Sequence, residues 1–325
     1  MKPPSDKTVR AFADLVAVNL GKRLDDGTLR AALGTVSIQK AQAGSKLSPV
    51  ETPVRDTGKR AGPRSIGSRC ASTYSSFATC PGSCPFNRDR RSGDERGCFV
   101  EANVNQRRAM NLVDASALLL KKHPQRLVLM ALAEAFELER AFAAGVPQDG
   151  HRGGRDIRLH VAGDAITVEA AEVLAASAAR LQRLGAGDVW TFTHGWQAVP
   201  RSSWGGVSVL ASVETPTGIV AAMARGYAAA VTVEKFASVR AFELEGAPGV
   251  KVVPCPAELG RPSASPGAPV TCVACRLCLN ADALLERRTA IAFEVHSYAR
   301  SSALVSVGVA QAVAARVKSA LRVAT

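Results

Sequence analysis

Short runs of β-branched and small apolar residues alternate with helical segments along most of this chain, and this alternation restricts the folds it can adopt. The runs have the length of ordinary strands, whereas the segments between them carry apolar residues at helical spacing. About seven strands are predicted, near residues 72–77, 157–161, 188–192, 207–211, 229–233, 250–253 and 290–295. Strands that alternate with helices are joined by crossovers and run parallel. The sequence therefore predicts an α/β fold, either an open sheet or a partial or complete parallel β/α barrel.

The first 60 residues differ in composition and residue pattern from the rest of the chain. Helical spacing occurs within residues 8–33, and the stretch 43–69 is basic and rich in glycine, proline and serine, as in an extended arm. We therefore expect residues 1–60 to form a basic appendage. Residues 61–325 are expected to form one barrel-like α/β domain that carries the cysteines and ends in a long helix at 302–323.

The formal net charge of the chain is +13, and most of the excess lies before and around the first cysteines. A strongly basic chain favours an anionic partner, and DNA or RNA is the usual one. The alternative is an arginine-rich surface without a dedicated binding role. The charge alone leaves both interpretations open.

The beginning of the chain is not predicted to be an export signal. Residues 1–10 are polar and charged, and Asp14 and Asn19 interrupt the apolar positions that follow. No run approaches the ~18 apolar residues needed to span a bilayer. We expect a cytoplasmic protein without a membrane partner, and in that compartment its eight cysteines are expected to be metal ligands rather than disulfides.

The eight cysteines fall into two groups. Cluster one comprises Cys70, Cys80, Cys84 and Cys98, and cluster two comprises Cys255, Cys272, Cys275 and Cys278. The C-x2-C-x2-C spacing in cluster two lets successive thiolates converge on one ion or one iron–sulfur cluster from a tight loop. Zinc sites favour paired C-x2-C knuckles, whereas a triple C-x2-C-x2-C with a Cys-Pro is similar to the loops that hold four-iron clusters. Cluster two therefore favours iron–sulfur, with zinc as the alternative.

Cluster one has a wider spacing, and two interpretations of it stay open. Thirteen residues separate Cys84 from Cys98. Three cysteines, with Cys70 spare, would leave one iron of a cluster open to another ligand. All four would make a closed structural site.

Polar residues recur where the predicted strands end. The carboxyl ends of parallel strands meet at one edge of the sheet, where α/β enzymes keep their active sites. Any one of these side chains could instead be a surface residue, a helix cap or a hydrogen-bonded core group. Their recurrence nevertheless predicts a polar pocket at this edge. The candidate catalytic residues are His160, Asp164, His194, Glu214, Glu234 and His296.

Several motifs together resemble a group of phage and plasmid proteins related to the phage gene-88 family. They are a Cys-Pro-rich start at 68–86 with Gly-Cys-Phe at 97–99, Arg-x-His-x-x-Gly-Asp at 158–164, the cysteine loop at 255–278 and Phe-x-x-His at 293–296. The likeness covers about residues 65–300 in this order. It implies membership of that group but carries no activity with it.

A more distant likeness is to radical S-adenosylmethionine enzymes, which have a partial barrel, three cysteines after the first strand and a Gly-Gly-Glu-like motif after the second. Cys80, Cys84 and Cys98 stand in corresponding places, as do Gly163 and Asp164. Cluster two corresponds to the auxiliary cluster that many of these enzymes hold. The spacing departs from the usual C-x3-C-x2-C. The resemblance implies a radical-SAM-like β/α barrel with 4Fe–4S clusters and with S-adenosylmethionine bound beside Gly163 and Asp164.

Two functions remain after these observations. The first is an iron–sulfur, radical-SAM-like enzyme that acts on nucleic acid or another anionic macromolecule. The second is a non-catalytic, zinc-stabilised nucleic-acid-binding protein whose metals only hold loops. The strand-end residues favour the enzyme, and the irregular spacing of cluster one favours the binding protein.

Overall fold

The computed structural model describes residues 4–39, 71–82, 84, 104–145, 156–259, 270 and 272–294. The strands are β1 (Val36–Gln39), β2 (Ala71–Ser75), β3 (Ile157–Ala162), β4 (Val189–Thr193), β5 (Ser208–Val213), β6 (Ala228–Val233), β7 (Lys251–Pro254) and β8 (Thr289–Glu294). The helices are α1 (Asp6–Leu20), α2 (Asp26–Leu33), α3 (Val104–Leu119), α4 (Arg126–Gly145), α5 (Val168–Arg183), α6 (Pro216–Ala224), α7 (Cys272–Cys275) and α8 (Ala281–Glu286). The expected basic arm at 43–69 and the expected helix at 302–323 lie outside the described residues.

All eight strands belong to one sheet, in the order β1-β2-β3-β4-β5-β6-β8-β7. β1 is antiparallel to β2, and every other neighbouring pair is parallel. The predicted α/β fold with a parallel sheet is thereby confirmed, and each of the seven predicted strands is present. Within the described ranges, β1 and β7 are not paired with each other, so no closed barrel is seen there. β2 to β6 follow one another in both sequence and space, which is the connectivity of a singly wound sheet.

The two faces of the sheet pack against different partners because side chains alternate along each strand. One face, called here the helix face, includes Leu159, Val209 and Val231, which are buried against α4, α5 and α6. The opposite face, called here the cysteine face, includes Leu210 and Ile291, which pack with α8 and with two cysteines of cluster two. Apolar residues on both faces account for the nearly continuous apolar runs of these strands.

Residues 4–39 pack against the rest of the described domain, and residues 40–60 of the predicted appendage lie outside the described residues. Phe12 of α1 and Leu29 of α2 are buried in an apolar cluster with Leu129 and Met130 of α4. β1 then extends the sheet beside β2. The short apolar stripes of α1 and α2 look weak in isolation, but α4 offers them a second apolar surface beside the one it turns to the helix face.

None of the helices in the described part of the chain has the length and apolarity to cross a membrane.

Candidate functional site at the carboxyl edge of the sheet

Asp164, two residues after β3, organises the carboxyl edge of the sheet. Its Oδ1 accepts hydrogen bonds from Thr193 Oγ1 (2.7 Å) and the backbone N–H of Ala165 (2.8 Å). Its Oδ2 accepts from the backbone N–H groups of His194 (2.7 Å) and Gly195 (3.1 Å). A carboxylate has about four acceptor positions, and all are used by the protein. Asp164 therefore holds the turn after β4 in place, which differs from the predicted role of binding a cofactor.

The electrostatics of Asp164 reflect its burial. Burial raises the pKa of the Asp164 carboxyl above its usual range, while His160, the Thr193 hydroxyl and His194 act in the opposite direction. Two histidines from neighbouring strands therefore influence one carboxyl group. Asp164 is the electrostatic link between them.

Gly163 lets the ends of β2 and β3 approach each other closely. It has a φ of +82°, and a Cβ at this position would lie 2.8 Å from both Ser75 Cβ and Thr79 Oγ1. The neighbouring backbone N–H of Asp164 donates to Thr79 Oγ1 at 2.9 Å. The atoms that require a glycine here are protein atoms, so Gly163 is needed for packing rather than for the predicted contact with a cofactor. Its packing fixes the turn that precedes Cys80 against the end of β3.

His194, Glu214 and Cys84 form one hydrogen-bonded row at this edge. His194 Nε2 lies 2.8 Å from Glu214 Oε1, and the imidazole also bonds to the Cys84 thiol. Burial lowers the pKa of His194, but its hydrogen bonds to Cys84 and Glu214 and its electrostatic interactions with them outweigh burial and raise the pKa to about 10. The imidazole is therefore positively charged at neutral pH. Residues from the ends of three elements meet here, as the strand-end pattern predicts.

A cleft of about 360 Å³ adjoins this row. It lies between the ends of β4 and β5 and the first turn of α6, which begins after the N-cap Thr215. The side chains around it are mostly polar, with one indole. The residues that line it include His194, Trp196, Ser212, Glu214, Thr215 and Thr217. A small polar group would fit within reach of the charged imidazole.

His160 is part of a separate buried network that the sequence analysis did not anticipate. Its Nε2 lies 2.9 Å from Glu134 Oε2, and its backbone N–H donates to Thr73 Oγ1 at 2.9 Å. Thr73 also hydrogen-bonds to Glu134. Burial disfavours the charged imidazole, but Glu134 outweighs it, so the pKa of His160 is raised. The imidazole lies against Glu134 of α4 and does not line the cleft, so the structure does not bring His160 together with His194 and Glu214.

Glu134 and Thr73 could have been found from one signal. Glu134 is the only charged residue between Leu127 and Phe136, a stretch that is otherwise apolar. A lone carboxylate in such a helix is either exposed or paired. The sequence does not say with which partner.

Glu234 does not join the site. It is exposed at the end of β6 and makes no hydrogen bond or ion pair with any described residue. A position just after a strand specifies the edge of the sheet but not the direction of the side chain. His296, Cys70 and Cys98 lie outside the described residues.

None of the six described cysteines forms a disulfide with another described cysteine, and four of the six make up cluster two. Burial raises the pKa of the Cys255 thiol to about 11. Burial and then the neighbouring thiols of Cys272, Cys255 and Cys275 raise the pKa of Cys278 well above its usual range. As they stand, no three His, Cys, Asp or Glu side chains in the described part of the chain are grouped tightly enough to hold a metal ion. By donor type, four neighbouring thiols suit a soft metal.

Comparison of the chain with protein-family models, with curated proteins and with solved structures finds no match in any of the three.

Proposed function

We propose that this protein is an iron–sulfur enzyme whose active site is the carboxyl edge of β3 to β5. The observation that carries the proposal is the contact between Cys84, from cluster one, and the His194–Glu214 pair beside a cleft. A structural metal site can lie anywhere on a domain, whereas a catalytic one needs titratable neighbours and space for a substrate. Cluster one has both at this edge.

The order of the cysteine motif and the Gly-Asp motif relative to the strands resembles the order in radical S-adenosylmethionine enzymes. Cys80 and Cys84 follow β2, the first strand of the parallel part, and Gly163 and Asp164 follow β3. The donor set fits an iron–sulfur cluster, but the carboxylate of Asp164 does not fit a role in binding the methionyl amine because its oxygens are occupied. The proposal therefore includes the cluster and assigns no residue to S-adenosylmethionine.

Each group at the edge has a distinct role in this proposal. Cys80 and Cys84 would contribute thiolates to a cluster, which would supply one-electron chemistry. His194, held by Glu214, would keep a proton at the mouth of the cleft and orient the polar group of a substrate. The net charge of +13 favours a substrate on an anionic macromolecule such as DNA or RNA.

Anaerobic purification tests the proposal directly. We expect brown protein with broad visible absorbance and with iron and acid-labile sulfide, and we expect Cys84→Ser to lower the iron content by about four atoms per chain, one cluster. His123→Gln, a histidine change away from this edge, serves as the control and should keep the parent content. Colourless protein with about two zinc ions per chain, one per four-thiolate site, would reject the enzyme.

The second candidate is the zinc-stabilised nucleic-acid-binding protein. It is favoured by the packing of Cys255 and Cys278 within the apolar cluster of the cysteine face, as in a closed structural site. Such a protein would bind DNA or RNA with an affinity that falls steeply with salt, because the basic residues displace counterions from phosphates. Zinc analysis combined with a salt titration of binding distinguishes it from the enzyme.

A further inference from the structure

The loop that carries cluster two is fixed to the cysteine face by hydrogen bonds from β5. Ser208 Oγ donates to the backbone carbonyl of Cys278 at 2.9 Å and accepts from the backbone N–H of Ala281 at 2.9 Å. Ser208 therefore holds both ends of the turn between the last cysteine and α8. The third cysteine of the triplet cannot move far without breaking these bonds.

Arg276, between two of the cysteines, fixes the rest of the loop. It has a φ of +57°, a left-handed conformation, and its backbone N–H donates to Cys272 O at 2.9 Å. Its guanidinium forms ion pairs with Asp156 and Asp188, which precede β3 and β4. A non-glycine residue adopts such a φ only when its surroundings impose it. The tight turn that gathers the cysteines is thus imposed by contacts with the sheet.

The four thiols of cluster two share one neighbourhood despite their separation in sequence. Cys255 and Cys278 belong to the same apolar cluster, together with Leu284 and Phe293. Cys272 and Cys275, at the two ends of α7, are partly exposed and precede Cys278 by six and three residues. Four soft donors therefore surround one part of the cysteine face.

Arg158 on β3 brings a positive charge to this neighbourhood. Its guanidinium carbon lies 5.1 Å from the ring centres of both Trp190 and Phe192. Its Nε is buried and has no hydrogen-bond partner among the described residues. Phe192 and Cys278 both pack against the apolar cluster of the cysteine face, which also contains Cys255. A buried N–H of a charged guanidinium that lacks an acceptor is costly, and an anion beside it would remove this cost.

We propose that cluster two binds one soft metal centre on the cysteine face and that Arg158 is its counter-cation. A zinc ion with four thiolates and a 4Fe–4S cluster with four thiolates each carry two excess negative charges, so either needs a compensating cation in an apolar setting. Metal binding draws the thiols closer together than they stand, as expected where ligand binding and loop folding are coupled. The site is separate from the carboxyl edge and uses none of its side chains.

A cobalt titration tests the metal site without reference to any activity. The protein to be titrated is the full-length chain with Cys80→Ser and Cys84→Ser, which lacks the described ligands of cluster one. It is freed of metal under anaerobic conditions before Co²⁺ is added. We expect one Co²⁺ per chain with the visible and near-ultraviolet bands of tetrahedral thiolate coordination. Adding Cys272→Ser and Cys275→Ser should abolish these bands. Absence of thiolate bands in the protein with cluster two intact overturns the proposal.

Three variants at one position then test the counter-cation. Arg158→Met and Arg158→Gln both remove the charge, the first keeping apolar contact with the aromatic rings, and each should weaken Co²⁺ binding about tenfold or more. Arg158→Lys keeps the charge and should recover most of the affinity, with the same band positions. If one neutral variant fails to fold by circular dichroism, the other decides. If a folded neutral variant binds Co²⁺ with the affinity of the parent, Arg158 is not the counter-cation. This test does not depend on whether cluster one holds iron, which is measured separately.

Discussion

Two histidine–glutamate pairs lie at the ends of neighbouring strands, and their surroundings differ. His160 and Glu134 are 2.9 Å apart with side chains only 2% and 1% exposed, whereas His194 and Glu214 are 2.8 Å apart with side chains 22% and 17% exposed. The first pair joins β3 to α4 under the sheet edge. The second borders the cleft. The same two side-chain types therefore hold the domain together in one place and present a charge to solvent in the other.

The difference in burial determines what each pair does energetically. Breaking a buried pair leaves the remaining partner desolvated and unpaired, which costs several kcal/mol. Breaking a partly exposed pair lets water replace the lost partner, so the cost stays small. The pair near the cleft is thus free to exchange its partners for a substrate, and the buried pair is not.

The largest effect is expected from Glu134→Gln, which removes the charge from the buried pair but keeps the shape of the side chain. We expect the free energy of unfolding to fall by about 3 kcal/mol, because His160 and the Thr73 hydroxyl lose their acceptor in a buried site. Urea denaturation at pH 7 measures it. A loss below about 1 kcal/mol would mean that the pair contributes little to stability and would remove the contrast.

Asp164→Asn should have the next largest effect, since Asp164 interacts with both histidines. One carboxylate oxygen becomes an NH₂ group that cannot accept from backbone N–H groups, so the bonds from His194 and Gly195 or the bond from Ala165 are lost. We expect a loss of about 2 kcal/mol in the free energy of unfolding. The exposed Asp282→Asn is the matched control and should be nearly neutral. Equal losses in both variants would show that the turn does not depend on Asp164.

The buried pair should also make the stability of the protein depend on pH. Because the pKa of His160 is raised in the folded protein, its contribution is complete below the unfolded value of about 6.5 and is lost as the pH rises through the folded-state pKa. The difference in unfolding free energy between the parent and Glu134→Gln should therefore shrink from pH 5.5 to pH 9, by at most about 1.4 kcal/mol per pH unit. If this difference in unfolding free energy grew with pH instead, the pKa of His160 would be lowered in the folded protein, contrary to the prediction.

The smallest effect is expected from Glu214→Gln, the same substitution in the pair beside the cleft. Water and Cys84 can partly replace the lost carboxylate, so the free energy of unfolding should fall by about 1 kcal/mol, less than in Glu134→Gln. Urea denaturation in parallel with Glu134→Gln gives the comparison. A loss as large as that of the buried variant would show that exposure does not distinguish the two pairs.

The strands and the meeting of polar residues at one edge were predictable because both follow from local patterns. Apolar runs of strand length identify the parallel strands, and parallel strands bring residues such as Asp164, His194 and Glu214 to the same edge. β1 was missed because it has only four residues, Ser37 and Gln39 among them, and depends on its pairing with β2. Its residues alternate between apolar and polar, but four residues are the shortest run in which such alternation can be recognised.

The roles within the site were harder to predict than its position. Gly163 and Asp164 attract attention as a cofactor motif, yet their neighbours are a packed serine and backbone N–H groups that only the folded chain supplies. The role of Glu134 was not predicted because its partner, His160, lies 26 residues further along the chain, on β3. Hydrogen-bond partners are set by tertiary structure, and one sequence does not specify them.

β7, at the far end of the sheet, has a consequence for how the protein behaves at high concentration. It has four residues, ends in Pro254, which has no N–H to donate, and exchanges backbone hydrogen bonds of 2.8 and 2.9 Å with Phe242 through Val252. Long, unpaired strand edges recruit strands from other molecules and lead to aggregation. This edge is short, partly occupied and interrupted by proline, so it offers a poor template for intermolecular β-sheet growth.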